Sequence, residues 1–203
     1  MKKFITAIAV IGLAAGSAFA GANMTVDIGS AHVFRGATVT DDLVIQPGLE
    51  MSGFGMPTNY GATAVGVWGS TAPFNDDAAS LDSIYETDWY LDYVLPQFVD
   101  GLDFWARYTQ YQYSPIIGID EKEIGLGVDW EIGDFVVGAS ANLMIDDRNP
   151  LTEKQKYFDF FGSYALEIND KSEVTFGGFI SLMFQGDGNS AAGLDDGFNH
   201  FEL

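Results

Sequence analysis

The sequence predicts an all-β fold: an antiparallel up-and-down transmembrane β-barrel of about ten strands, or twelve if the chain is truncated. Three observations carry this reading. Apolar and polar residues alternate with period two through segments of about ten to twelve residues, longer than soluble strands and close to one tilted bilayer crossing. The connections alternate, short then long, as periplasmic turns and outer loops do. The apolar side of the better strands carries no charge, while the opposite side is acidic.

The first twenty residues stand apart. Met1-Lys2-Lys3 is basic, residues 4–15 are apolar, and Ala18-Phe19-Ala20 is a small-residue cleavage pattern. This is the signature of a secretory signal peptide, residues 1–20, and the apolar run is too short to span a bilayer as a helix. Residues 21–203 then form the barrel domain.

The first strand places Met24, Val26 and Ile28 opposite Thr25, Asp27 and Gly29, and runs to about Val33. In the second, Leu43, Ile45, Leu49 and Met51 alternate with Gln46, Gly48, Glu50 and Ser52. Residues 60–70 are rich in Gly, Ala and Val, so their two faces are hard to tell apart. Residues 83–94 are the clearest: Tyr85, Thr87, Trp89, Leu91 and Tyr93 oppose Glu86, Asp88, Tyr90 and Asp92. A helix would scatter these acids around its circumference, whereas a strand stacks them on one side.

Later segments repeat the pattern. Leu102, Phe104, Ala106 and Tyr108 oppose Asp103, Trp105, Arg107 and Tyr111. Ile124, Leu126, Val128, Trp130 and Ile132 oppose Glu123, Asp129 and Glu131. Phe135 to Leu143, Phe158 to Leu166 and Val174 to Leu182 each alternate in the same way, and a tenth strand begins near Phe198. Short connections fall at 53–59, 95–101, 133–134 and 167–171. Longer polar ones fall at 69–82, 114–122, 146–156 and 185–197. Apolar-face aromatics gather near strand ends: Tyr60, Tyr93, Trp130, Phe135 and Tyr164 toward the short turns, Tyr85 and Phe184 toward the long loops. Such belts mark membrane interfaces. A soluble exported sandwich or barrel, with its apolar face inward, is the competing architecture.

Charge bounds the partners. The chain has 29 Asp plus Glu against 9 Lys plus Arg, a net charge of -20. Without Lys2 and Lys3 the balance is 29 against 7, or -22. This opposes nucleic-acid binding, which needs positive charge to displace phosphate counterions. A hydrophobic share of 47% is too high for a disordered acidic tail. The absence of Cys excludes disulfides, thiolate metal sites, a Cys nucleophile and a lipoprotein anchor.

The inward face is the candidate site. Asp27, Glu50, Glu86, Asp88, Asp92, Asp103, Glu123, Asp129, Glu131 and Asp159 take lumen-lining positions, with Arg35 and Arg107 as the inward cations. Carboxylates lining a pore attract cations and repel anions. Arg107 and Asp103 share a strand, so an Arg–carboxylate pair should neutralise part of that field. Inward Trp105, Tyr111, Tyr113 and Phe161 would narrow or plug a small barrel. Two acidic loop clusters, Asn75-Asp76-Asp77 and Asp187-Gly188-Asn189 with Asp195-Asp196, do not fit the twelve-residue calcium loop and read as solvated surface.

Catalysis finds little support. His32 and His200 lie on the first and last strands, which become neighbours when a barrel closes, so a lipid hydrolase is a lesser alternative. By parity His32 and Ser30 fall with Val26 and Ile28, facing lipid. No phosphate loop, metal-ligand pair or flavin motif occurs. The expectation is no enzyme and no cofactor.

Residues 26–48 read V-D-I-G-S-A-H-V-F-R-G-A-T-V-T-D-D-L-V-I-Q-P-G. This resembles the opening of a family of small Gram-negative outer-membrane proteins, the porins of the TorF type, in which an aromatic followed by Arg-Gly precedes Ser/Thr and Gln/Asp residues and a Gln-x-Gly strand. The matching positions are Phe34, Arg35, Gly36, Thr38, Thr40, Asp41, Gln46 and Gly48. Residues 64–70, Tyr85 to Tyr90 and the tyrosine-rich 108–113 look like the next strands, and the likeness loosens after Tyr113. Members end in a completed barrel, whereas Phe201-Glu202-Leu203 falls in mid-strand. The resemblance implies a bacterial outer-membrane location and contact with outer-membrane lipid and lipopolysaccharide, while passive diffusion of small solutes or ions rests on the leader, the strand lengths and the loop alternation. With the acidic lumen, the expectation is a small porin-like channel preferring cations, or a plugged barrel with a structural or surface role.

Overall fold

In the computed structural model the described residues are 7–11, 21–34, 37–53, 58–73, 86–113, 120–145, 155–169, 172–184 and 197–202. Arg35, Tyr85 and both acidic loop clusters lie outside them. The strands are β1 Ala7–Ile11, β2 Gly21–Gly29, β3 His32–Phe34, β4 Ala37–Thr40, β5 Val44–Ser52, β6 Ala62–Ser70 and β7 Glu86–Val94. They continue with β8 Leu102–Tyr113, β9 Asp120–Ile132, β10 Phe135–Met144, β11 Lys156–Asn169, β12 Ser172–Phe184 and β13 Gly197–Glu202. One sheet takes eleven of them in the order β1-β2-β5-β6-β7-β8-β9-β10-β11-β12-β13, every pair antiparallel, and β3-β4 form a separate hairpin. Nearest-neighbour order is what period-two strands joined by local turns produce. At the β9–β10 turn, Gly133 takes φ 64°, a left-handed conformation open to glycine without strain.

The sheet is a half-barrel: nine strands curl through 221°, and shorter β1 and β13 extend the two edges. Among the described residues it does not meet itself. β13 pairs with β12 and not with β2, so the seam expected between residues 24–33 and 198–203 is open. β2's outer edge is instead covered by β1, in the register Ala7↔Ile28 to Ile11↔Met24. A bare edge leaves a row of N–H and C=O groups unpaired, and the β-prone run Ala-Ile-Ala-Val-Ile at residues 7–11 satisfies them.

Two local differences follow from side-chain chemistry. β2 stops at Gly29, and the chain bends at Ser30 and Ala31 into the β3–β4 hairpin, so the expected long first strand is divided. β9 starts at Asp120, which carries polar Asp120 and Lys122 on the otherwise apolar face opposite Gln112 and Gln110. There the apolar band ends. On β9 the band runs from Ile124 to Ile132, about 27 Å along the strand at ~3.4 Å per residue.

The two faces invert the arrangement of a water-soluble protein. Outer-face Trp89, Leu126 and Phe176 are 53%, 59% and 59% exposed, while inner-face Glu86, Glu121 and Glu123 are 3%, 4% and 5% exposed. Among the described residues only Val44, Ala72, Tyr111, Met144, Tyr157 and Met183 form a buried hydrophobic set. The aromatics expected at the turn side stand on the outer face there. Tyr93 donates its hydroxyl to the Tyr60 carbonyl at 2.7 Å, and Phe135 and Tyr164 pair with ring centroids 4.7 Å apart.

Candidate functional site

Directly paired residues in an antiparallel sheet share a face, so the register defines the concave wall row by row. One row runs Thr25, Gly48, Trp68, Asp88, Tyr111, Glu121 across β2 and β5–β9. The next runs Asn23, Glu50, Gly66, Tyr90, Thr109, Glu123, and the next carries Ser52, Ala64, Asp92, Arg107, Gly125, Asn142. Asp27, Asp103, Asp129, Glu131 and Asp159 fall on the same face by the same register.

Each carboxylate has its own circumstances. Arg107 forks onto Asp92, Nε to Oδ1 and Nη2 to Oδ2 at 2.6 Å each, and its guanidinium lies 4.6 Å from the Tyr90 ring centroid. The partner of Arg107 is thus its register neighbour on β7, not Asp103 on its own strand. Side chains four apart on a strand stand about 13 Å apart, beyond reach. Asp103 accepts instead from Gln97 at 3.3 Å. Glu50 accepts the Tyr90 hydroxyl at 3.1 Å, Glu123 the Tyr111 hydroxyl at 3.2 Å, and Asp129 the Trp105 indole N–H at 3.0 Å. Asp159 accepts from Ser140 at 3.2 Å, Asn142 at 2.9 Å and Ser181, which commits it to binding β10, β11 and β12 together. Asp27 Oδ1 and Asp88 Oδ1 are shielded from solvent and find no hydrogen-bond partner among the described residues.

The large aromatics do not plug the wall. Tyr90 lies flat over Gly66, reaching across β6 to Glu50 on β5. Trp105 lies over Gly127, and Phe161 over Gly138. A Cβ at any of these three glycines would overlap the ring, so the missing side chain is the seat of the aromatic. Trp105 and Phe161, expected to narrow the interior, are folded down onto it. Tyr111 and Tyr113 stand as bridges from β8 to Glu123 and Glu121 on β9.

The narrowing comes from the β3–β4 hairpin. His32 is buried on the inner side, its Nε2 3.6 Å from Glu86 Oε2 and its ring edge-on to Trp68 at 5.6 Å. This corrects the lipid-facing position expected by parity, because the bend after Gly29 breaks the alternation count. Phe34 meets Tyr111 with ring centroids 5.7 Å apart. His32, on the separate β3–β4 hairpin, packs against β6 and β7, whereas β13, which carries His200, is the last strand of the main sheet, beyond β12.

Sequence reasoning missed Glu121, assigned to a loop, and the roles of Trp68 and Tyr90. Glu121 was legible: it sits two residues before Glu123, in the same parity. The hairpin carried no such signal.

The fold places the chain among all-β proteins built on a single curled antiparallel sheet with an apolar exterior. Comparison with protein-family models, with curated proteins and with solved structures finds no match to this chain.

Proposed function

We propose that the protein is a bacterial outer-membrane β-barrel acting as a small porin-like channel for passive diffusion of small solutes or ions, with a preference for cations. The single observation that carries this is the inversion of polarity: large apolar side chains cover the exposed outer face, and carboxylates line the sheltered inner one. In water that arrangement is unfavourable on both sides. In lipid the outer face meets hydrocarbon and the inner face meets a wet lumen. The leader, the turn-side aromatics and the quoted likeness to the TorF-type porins support the same location.

Curvature bears on closure. A curl of 221° over eight strand-to-strand steps is about 28° each, so a full turn takes about 13 strands, and twelve or fourteen suits the even number usual in such barrels better than ten. Closure is obligatory in lipid, because an open edge leaves backbone groups unsatisfied at several kcal/mol each.

The test is conductance in planar bilayers of refolded protein whose folding is checked by heat-modifiable gel migration. Ion current is expected. Folded protein that carries none would leave the plugged barrel with a structural or surface role, which the inward β3–β4 hairpin favours as second reading. A protein soluble and monomeric without detergent would overturn the membrane assignment.

A further inference from the structure

Beneath the β3–β4 hairpin the concave face holds a cavity of about 480 Å³, lined by aromatic and acidic side chains. Its lining includes Glu50, Asp88, Glu123 and Asp159 against one guanidinium, Arg107. That guanidinium is already forked to Asp92, so the lining is left with excess negative charge. Among the described lining residues an anion would have to break the Arg107–Asp92 pair to find a cation. Among the described residues no group of three or more His, Cys, Asp or Glu side chains is arranged to hold a metal ion. The carboxylates are spread over the wall, separated by aromatics, which suits a larger organic ion.

One part of the cavity is built as a cage. Trp68, Asp88 and Tyr111 are direct register neighbours on β6, β7 and β8, so the carboxylate stands between two aromatic side chains. Phe34, from the hairpin, packs on Tyr111 and closes the third side. Asp88 keeps a carboxylate oxygen with no hydrogen-bond partner among the described residues. Aromatic faces attract cations through their quadrupole, and a carboxyl group beside them strengthens that attraction. The wall already displays this chemistry on its own residue, since Arg107 rests on the Tyr90 face in the fork of Asp92.

We propose that Phe34, Trp68, Asp88 and Tyr111 form a binding site for a small organic cation of the alkylammonium class, set in the solute path beneath the hairpin. The site deepens the channel reading and rests on it for its access from solution. The cation's charge is met by Asp88 and its apolar surface by the three aromatic rings.

The experiment uses the full chain refolded in detergent micelles and in planar bilayers. Choline, its uncharged isostere 3,3-dimethylbutanol and sodium chloride are titrated at constant ionic strength, with tryptophan fluorescence and calorimetry as readouts. Choline is expected to bind, and the other two are not. Asp88→Asn should weaken choline about tenfold, and Phe34→Leu, which leaves the barrel wall untouched, should weaken it several-fold. Equal binding of 3,3-dimethylbutanol would reduce the site to an apolar cavity, and unchanged choline binding in both variants would overturn it. The bilayer arm separates the two readings. Choline binding without ion current keeps the site and removes the pore, whereas ion current without choline binding removes the site and keeps the pore.

Discussion

Arg107 and Asp92 are joined by two parallel bonds across the β7–β8 register, and the pair cancels charge at the middle of the acidic wall. The Arg107 side chain is 46% exposed. Pairs this open add at most about 1 kcal/mol to stability, so the effect of the fork falls on the field along the concave face, the wall of the proposed pore.

That gives a selectivity pattern. Asp92→Asn bares the Arg107 guanidinium and should lower cation preference. The double change Asp92→Asn with Arg107→Gln removes a neutral pair and should leave it nearly unchanged. Asp88→Asn removes a carboxyl group that no Arg among the described residues pairs with, and should lower it. Reversal potentials in a salt gradient read all three. The differences should shrink at high salt, because the Debye length falls from about 8 Å at 0.15 M to about 3 Å at 1 M. A double variant as weakened as the single would show that the pair is not neutral in its effect on permeation.

Gly66 tests the flattened aromatics. In Gly66→Ala the new methyl takes the seat of the Tyr90 ring and separates its hydroxyl from Glu50. Overpacking of this kind costs about 1–3 kcal/mol. The ring is pushed into the lumen, so single-channel conductance should drop. Gly66→Ala with Tyr90→Ala should recover conductance above that of the single variant. Urea unfolding and bilayer recording give the two numbers, and unchanged conductance in Gly66→Ala would argue that the wall there does not bound the path.

Leu126 reports on what the outer face meets. It lies in the β9 apolar band, two residues in from Ile124, and is 59% exposed. On a soluble surface Leu126→Arg would be close to neutral. Facing hydrocarbon between midplane and interface it should destabilise folding into bilayers by about 1–3 kcal/mol. Folding titrations in lipid vesicles measure this, and a neutral result would place the face in water.

The hairpin should respond to acid. Burial holds the His32 imidazole below its ordinary pKa of 6.5. Glu86 on β7 faces it and Trp68 on β6 packs on it, with Glu121 acting on Glu86 from β9. The docked hairpin therefore prefers neutral imidazole. Docking is at full strength above pH 6.5 and is lost as the pH falls from there toward the lowered value. Amide exchange at Val33 and Phe34 should quicken over that range, and His32→Gln should remove the dependence. Protection that rises in acid would mean that attraction to Glu86 outweighs burial.

Much of this architecture is legible in the chain because period two encodes which side a residue takes. The acids at Glu86, Asp88 and Asp92 share a face for no other reason than their spacing, and so do the apolar residues on β9. Partner choice is less legible. That Arg107 finds Asp92 rather than Asp103 depends on the β7–β8 register, which is set by residues 95–101 and their turn. The flat seating of Tyr90 needs Gly66 opposite it on another strand, a pairing invisible to any local window. The hairpin is the largest omission. His32 and Phe34 alternate well enough with their neighbours to pass for a continued strand, and only the bend after Gly29 turns them inward.

The alternation has a further consequence before any sheet exists. After residue 20 no stretch approaches the ~18 apolar residues that cross a membrane as a helix. Each strand-forming segment interrupts its apolar side chains with polar ones, and many of those are carboxylates. In transit through water, segments aligned edge to edge would set like charges opposite one another, which opposes fibrillar stacking. At a net charge of -20 the whole chain also repels its copies. On the outer-membrane reading proposed above, the carboxylates that line the interior of the folded sheet would thus also keep the unfolded chain dispersed until lipid covers its other side.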